Sequence, residues 1–296
     1  MYRLFLFLFL ILPFSLTGQK DEFDDLQAIK NQNKIFYNLG AYSITTETFS
    51  SPFTIKKLKP ILRKYKIRLK KKTVLVSDSL VKTSNFRFIQ STNEGKYTSK
   101  YAVYAVDNNR RTSIISFAKI GNFDDNLMSS FVNRFVNDEF PEYIYVRPKI
   151  DSIKFVNRYI KLGPGCQWMG VRNVQCPYNG QMDWTLHNSL KETREFNTMR
   201  SSMALSQNKL KLVSKDSVDI TFEGKNTIAE RYVMDVKGLN SLLLNLQSGA
   251  KELIVYYISE EIGGKYVSCI LSHWNNDRVQ PHGLPALLGE VMRLKK

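Results

Sequence analysis

Two cysteines, one carboxylate–imidazole pair and one run of cations are the residues of this chain whose types and spacing could do chemistry. Cys166 and Cys176 bracket a turn-rich segment, with Gly163-Pro164-Gly165 before it and Pro177-Tyr178-Asn179-Gly180 after it. In an oxidising compartment such a pair reads as a local disulfide. The competing reading is a zinc site drawing on Cys166, Cys176, His187 and His273. The cysteine spacing is not that of a zinc knuckle, and the Cys-x-x-Cys of a redox pair is missing. No metal and no cofactor are therefore expected. Cys269, inside the apolar stretch Tyr266 to Leu271, reads as a buried free thiol.

Asp183 and His187 stand four residues apart at the start of a stretch that reads as a helix over 182–204. Its apolar positions are Met182, Leu186, Leu190, Thr193, Phe196 and Met203. On a helix the carboxylate would orient the imidazole for proton transfer. The alternative is that Asp183 complements the helix N-terminus and His187 is a partly exposed polar residue. Gly-x-Ser-x-Gly, His-Glu-x-x-His and a phosphate-binding Gly-rich loop are all absent from the sequence. No catalytic residue is assigned, and a non-enzymatic role is the first expectation.

The third group is a charge cluster. Lys56, Lys57, Lys59, Arg63, Lys64, Lys66, Arg68, Lys70, Lys71 and Lys72 lie in one segment that contains no acid, in a chain of net charge +16. Ile55, Leu58, Leu62, Tyr65 and Leu69 step by three and four residues between them, the pattern of a basic amphipathic helix. Pro60 suits the first turn of a helix better than its interior, so the expected helix runs from Pro60 to Leu69. From Ile67 the alternation Ile-Arg-Leu-Lys also suits a strand entering Val74. The segment reads either as a solvated face packed through its apolar stripe or as a contact for an anionic surface, polymer or acidic protein. Nucleic acid is not expected, because stacking aromatics beyond Tyr65 are missing.

Residues 1–18 supply the context for these choices. Arg3, an apolar run from Leu4 to Pro13 and the small stretch Ser15-Leu16-Thr17-Gly18 have the three parts of a cleavable signal peptide. The run is too short for an ordinary membrane-spanning helix of about 20 residues, although an uncleaved anchor is the alternative. Gln19 stands where a lipid-acceptor cysteine would, so a periplasmic or secreted, unlipidated product is expected. Export also moves the expected partner from nucleic acid towards anionic envelope lipid or polysaccharide.

The elements that must position these residues read as an α+β fold. Phe23, Leu26, Ile29 and Phe36 suggest a helix ending near Gly40. Strands follow at Tyr42 to Thr46, Val74 to Val76 and Phe86 to Phe88. A hairpin of 101–106 and 113–120 closes on Asp107-Asn108-Asn109, and a helix runs from Asn122 to Asn137. Strands are expected at 143–147 and 153–162.

The order hairpin then helix recurs at Leu253 to Ile258, Gly263-Gly264, Tyr266 to Leu271 and an apolar helix from Leu284 to Leu294. Val103-Tyr104 echoes Val255-Tyr256, and Leu75 to Ser79 echoes Leu212 to Ser217. These signals suggest two similar halves, each an antiparallel sheet with a helix after a hairpin, arising by internal duplication. Two unrelated halves are the alternative. The expected boundaries are 1–18, 19–162 and 163–296.

Gly283-Leu284-Pro285-Ala286-Leu287-Leu288 resembles the Gly-Leu-Pro-Gly-Leu-Ile tag of one family of secreted bacterial proteins, differing at Ala286 and Leu288. No role is carried over from that resemblance. The function expected is an exported binding or envelope-associated protein. A hydrolase of envelope glycans or peptides is the alternative. A third reading is a structural component with Trp168 and Trp184 as aromatic anchors for a partner.

Overall fold

The computed structural model describes residues 22–70, 73–94, 97–119, 121–146, 150–206, 210–236 and 250–295. The expected signal segment, Lys71 and Lys72 lie outside the described residues.

The first sheet is made of β1 (Gln27–Asn31), β2 (Lys34–Leu39), β3 (Tyr42–Phe49), β4 (Asn85–Glu94), β5 (Tyr97–Asn108) and β6 (Arg111–Lys119). The spatial order is β1-β2-β3-β6-β5-β4, with every neighbour antiparallel. The β5–β6 hairpin forms as expected. Asn108 pairs with Arg111, so the loop is Asn109-Arg110, and both have positive φ (52° and 65°), as a tight primed turn requires.

Strand alternation explains why β5 and β6 read as nearly continuous apolar runs. Ala102, Tyr104, Val106, Ile115 and Phe117 face α2 (Asp125–Val136), which buries Met128, Phe131 and Val132 against them. Val103, Ala105 and Ile114 point the other way, onto α1 (Ile55–Lys64). Asp124 caps α2 by accepting from the Leu127 amide at 3.1 Å. The helix expected from Phe23 to near Gly40 is replaced by a turn followed by β1 and β2, turning at Gln32, whose φ is +54°. Cross-strand pairing with β3 overrides the local helical spacing there.

The second sheet contains β9 (Gln167–Gly170), β10 (Asn173–Cys176), β11 (Gly180–His187), β12 (Leu210–Phe222), β13 (Lys225–Val236), β14 (Glu252–Ile262), β15 (Lys265–Trp274) and β16 (Met292–Leu294). Its order is β16-β12-β13-β14-β15-β11-β10-β9. One face carries the larger core. Phe155 from the hairpin β7 (Ser152–Phe155) and β8 (Arg158–Lys161) packs there with Trp184, Phe222, Ile258 and Leu271. Leu287 and Leu288 of the short α4 (Ala286–Gly289) join them.

The opposite face receives α3 (Leu190–Ser206) through a polar stripe, Thr193, Asn197 and Ser201. Asn197 Nδ2 donates to the Ile258 carbonyl (2.8 Å) and to Ser259 Oγ (2.9 Å). Its Oδ1 accepts from Ser268 Oγ at 2.6 Å. A buried amide is tolerated because its hydrogen-bonding capacity is matched in this way.

Several expected elements change type. Residues 182–187 belong to strand β11, and the helix begins only at Leu190. The 143–147 segment contains the 3-10 turn Glu142–Ile144 instead of a strand, and Arg147 lies outside the described residues. The C-terminal helix shrinks to α4, followed by β16.

The fold is thus mixed α and β but strand-rich, with three antiparallel sheets among the described residues. It does not show the duplication. The two large sheets differ in strand order, and the Leu75 to Ser79 echo carries only an isolated bridge at Val76, whereas Leu212 to Ser217 lies within a long strand.

Candidate functional site

The Cys166–Cys176 disulfide is formed. It closes the base of the β9–β10 hairpin, so neither sulfur is a free thiolate for zinc. Trp184 is buried beside Trp168, with ring centroids 6.0 Å apart in the core under the sheet. The two tryptophans are therefore packing residues and not exposed anchors for a partner. Cys269 is buried in β15, and burial raises its thiol pKa well above the ordinary value.

The helix of the basic segment both starts and ends earlier than the expected Pro60 to Leu69. α1 begins at Ile55 and carries Pro60 in its interior. Pro60 has no amide to give Lys56, yet Leu58 just before it is fully packed and holds the first turns on the sheet. The helix ends in a Schellman motif. Ile67 N–H reaches the Leu62 carbonyl, Lys66 N–H reaches that of Arg63, and Lys66 takes the left-handed conformation with φ +60°. Ile67 then packs with Leu62, so the chain after the helix is a structured turn and not a strand.

This geometry separates the two faces of the segment. Leu58, Ile61, Leu62 and Ile67 are spent on the protein's own core, with Tyr65 and Leu69 packed beside them. Tyr65 donates to Glu47 Oε2 at 2.7 Å, pinning the segment to β3. Lys56, Lys57, Lys59, Arg63, Lys64, Lys66, Arg68 and Lys70 are exposed. None of these eight pairs with a carboxylate among the described residues. Lys59, Arg63, Arg68 and Lys70 surround an open groove of about 470 Å³ together with Leu69.

Asp183 and His187 are brought to a second place, but not to each other. On a strand, residues four apart share a face at about 13 Å, and no hydrogen bond joins the two side chains. Asp183 accepts from Asn173 Nδ2 (3.1 Å) and from Arg200 of α3 (3.2 Å). Burial pushes its pKa up, and Arg200 and Asn173 pull the other way. Burial, with the Lys119 charge added, lowers the His187 pKa to about 4, so the imidazole is neutral at neutral pH. The ring lies 5.0 Å from that of Phe196. A carboxylate that neither touches nor orients the imidazole forms no proton-transfer dyad.

Both residues line a cleft of about 270 Å³ between the two large sheets. Asn38 and Lys119 come to it from the first sheet, and Phe196, Met199 and Met203 from α3. The sequence signal for this wall was period two: Met182 and Trp184 alternate with Asp183, Thr185 and His187. Asn38 and Lys119 carry no local signal at all. No protein-family model and no curated protein matches the chain.

Proposed function

We propose that this is an exported, periplasmic or secreted binding protein that docks on an anionic envelope surface through the outer face of α1 and the turn after it. One observation carries the reading: eight exposed cations, from Lys56 to Lys70, stand without a carboxylate partner among the described residues. Such a concentration of like charge is self-repulsive in the free protein and is relieved by a polyanion. The apolar side of α1 is already occupied, so contact is electrostatic and does not insert into a bilayer. Phosphate headgroups of an anionic membrane suit an open, convex helix face with a shallow basic groove.

Flotation with vesicles of phosphatidylglycerol and phosphatidylcholine against phosphatidylcholine alone tests this. Each cation near such a surface contributes about 1 kcal/mol at physiological salt. Changing Lys59, Arg63, Arg68 and Lys70 to Gln then weakens binding by about two to three orders of magnitude. Equal recovery of both proteins with the anionic vesicles at low salt would overturn the proposal.

A further inference from the structure

The cleft between the sheets holds buried polar atoms that the protein itself leaves unused. His187 is 8% exposed and neither ring nitrogen has a partner; Asn38 is 7% exposed and its Oδ1 has none. Buried polar atoms without partners are rare in native structures and call for an explanation. Here the two residues come from opposite sheets, β11 and β2, and both line the same cavity, with these particular atoms covered from solvent.

The rest of the lining says what would satisfy them. Arg200 and Asp183 neutralise each other at 3.2 Å, which leaves Lys119 as the uncompensated charge. Its ammonium lies 4.9 Å from the Tyr42 ring centroid and meets no carboxylate among the described residues. Phe196, Met199 and Met203 recur at i, i+3 and i+7 on α3 and give one wall an apolar stripe. A neutral imidazole offers one donor and one acceptor, and an amide oxygen offers an acceptor. A cavity of about 270 Å³ is near the small end of ligand pockets.

We propose that the cleft between the two sheets binds a small monocarboxylate that carries a hydroxyl beside the acid and an apolar tail. On binding, the His187 and Asn38 side chains turn towards the cleft: the carboxylate meets Lys119 and the His187 N–H, the hydroxyl donates to Asn38 Oδ1, and the tail lies along Phe196, Met199 and Met203. The site is distinct from α1, so its occupancy does not depend on the cationic face.

Calorimetric titration of the intact protein with 2-hydroxyhexanoate, hexanamide and hexylamine tests the assignment. The hydroxy acid is expected to bind about tenfold more tightly than either the uncharged or the cationic probe. It should also shift the His187 ring-nitrogen resonances. Lys119→Gln, a substitution at a partly exposed position, should cost about tenfold in affinity, whereas Lys59→Gln on α1 should leave it unchanged. Absence of binding at millimolar hydroxy acid overturns the proposal. So does equal binding of hexylamine, or an unaltered affinity in Lys119→Gln.

Discussion

Arg172 donates from its guanidinium to the carbonyl oxygen of Gly40 at 3.3 Å, so the tip of the β9–β10 hairpin is tied to the β2–β3 turn of the other sheet. A second guanidinium nitrogen reaches the Asp25 carbonyl at the same distance. The Asp25 side chain in turn accepts from Lys265 at 2.9 Å. The tip thus clamps the boundary that also forms the cleft, where its neighbour Val171 contributes to the lining.

Removing this tie should be expensive. Arg172 is buried, and burial lowers its pKa to about 10. Arg172→Ala strands two carbonyls and should destabilise the protein by about 2 to 4 kcal/mol, read from urea unfolding. A loss below about 0.5 kcal/mol would mean that the halves hold together without it.

The disulfide fixes the base of the same hairpin. Replacing Cys166 and Cys176 with Ala opens a short loop and should cost about 2 to 3 kcal/mol in the chain-entropy model. Unfolding of the oxidised native chain against the double variant gives the value. Equal midpoints would show that the hairpin is held by its packing alone.

His187 predicts an acid-side loss of stability. Its folded pKa, about 4, lies below the 6.5 of a free imidazole. Between those values the unfolded chain binds a proton that the folded chain refuses, so stability falls as pH drops from about 6.5 to about 4 and then levels off. The full effect is about 3 kcal/mol. Lys119, Asp183 and Arg200 share the cleft, and Asp183, raised by burial, pulls the other way at the acid end of the window. His273 is also lowered by burial and adds to the loss. The difference between wild type and His187→Gln isolates the residue; parallel pH–stability curves for the two would refute the assignment.

Lys66 sits where a glycine is preferred. At φ +60° a side chain costs about 1 kcal/mol, partly offset because glycine loses more freedom on folding. Lys66→Gly should therefore stabilise the fold by about 0.5 kcal/mol, measured by thermal unfolding. It should also weaken vesicle binding slightly. A lowered melting temperature would contradict the C-cap geometry.

The sequence disclosed the elements whose signals are local. Asp107-Asn108-Asn109 marks the β5–β6 hairpin, Gly263-Gly264 the β14–β15 hairpin, and the stretch from Asn122 to Asn137 the helix α2. The disulfide followed from two cysteines flanking a turn-rich stretch. The 182–187 stretch is ambiguous in sequence because Met182 and Leu186, four apart, share a face in a helix and in a strand alike. Trp184, two residues from each, decides the matter: it is buried on the same side as Met182, which only a strand allows.

Phe23, Leu26 and Ile29 have helical spacing too, but Phe23 and Leu26 pack into the first core from a turn and its exit, and Ile29 pairs with Phe36 in the β1–β2 hairpin. The cleft was invisible for a further reason. Asn38 and His187 are brought together only by the closing of two sheets, and nothing in either local sequence refers to the other.

Cys269 lies in the same core as the Cys166–Cys176 bond. The attacking species in thiol–disulfide exchange is a thiolate, and burial holds this thiol in its protonated form. Once β15 is seated between β11 and β14, burial silences the odd sulfur as a nucleophile towards the native bond. Oxidative maturation therefore has a one-way character: mispairing with Cys269 is open only to chains that have not yet closed their second sheet.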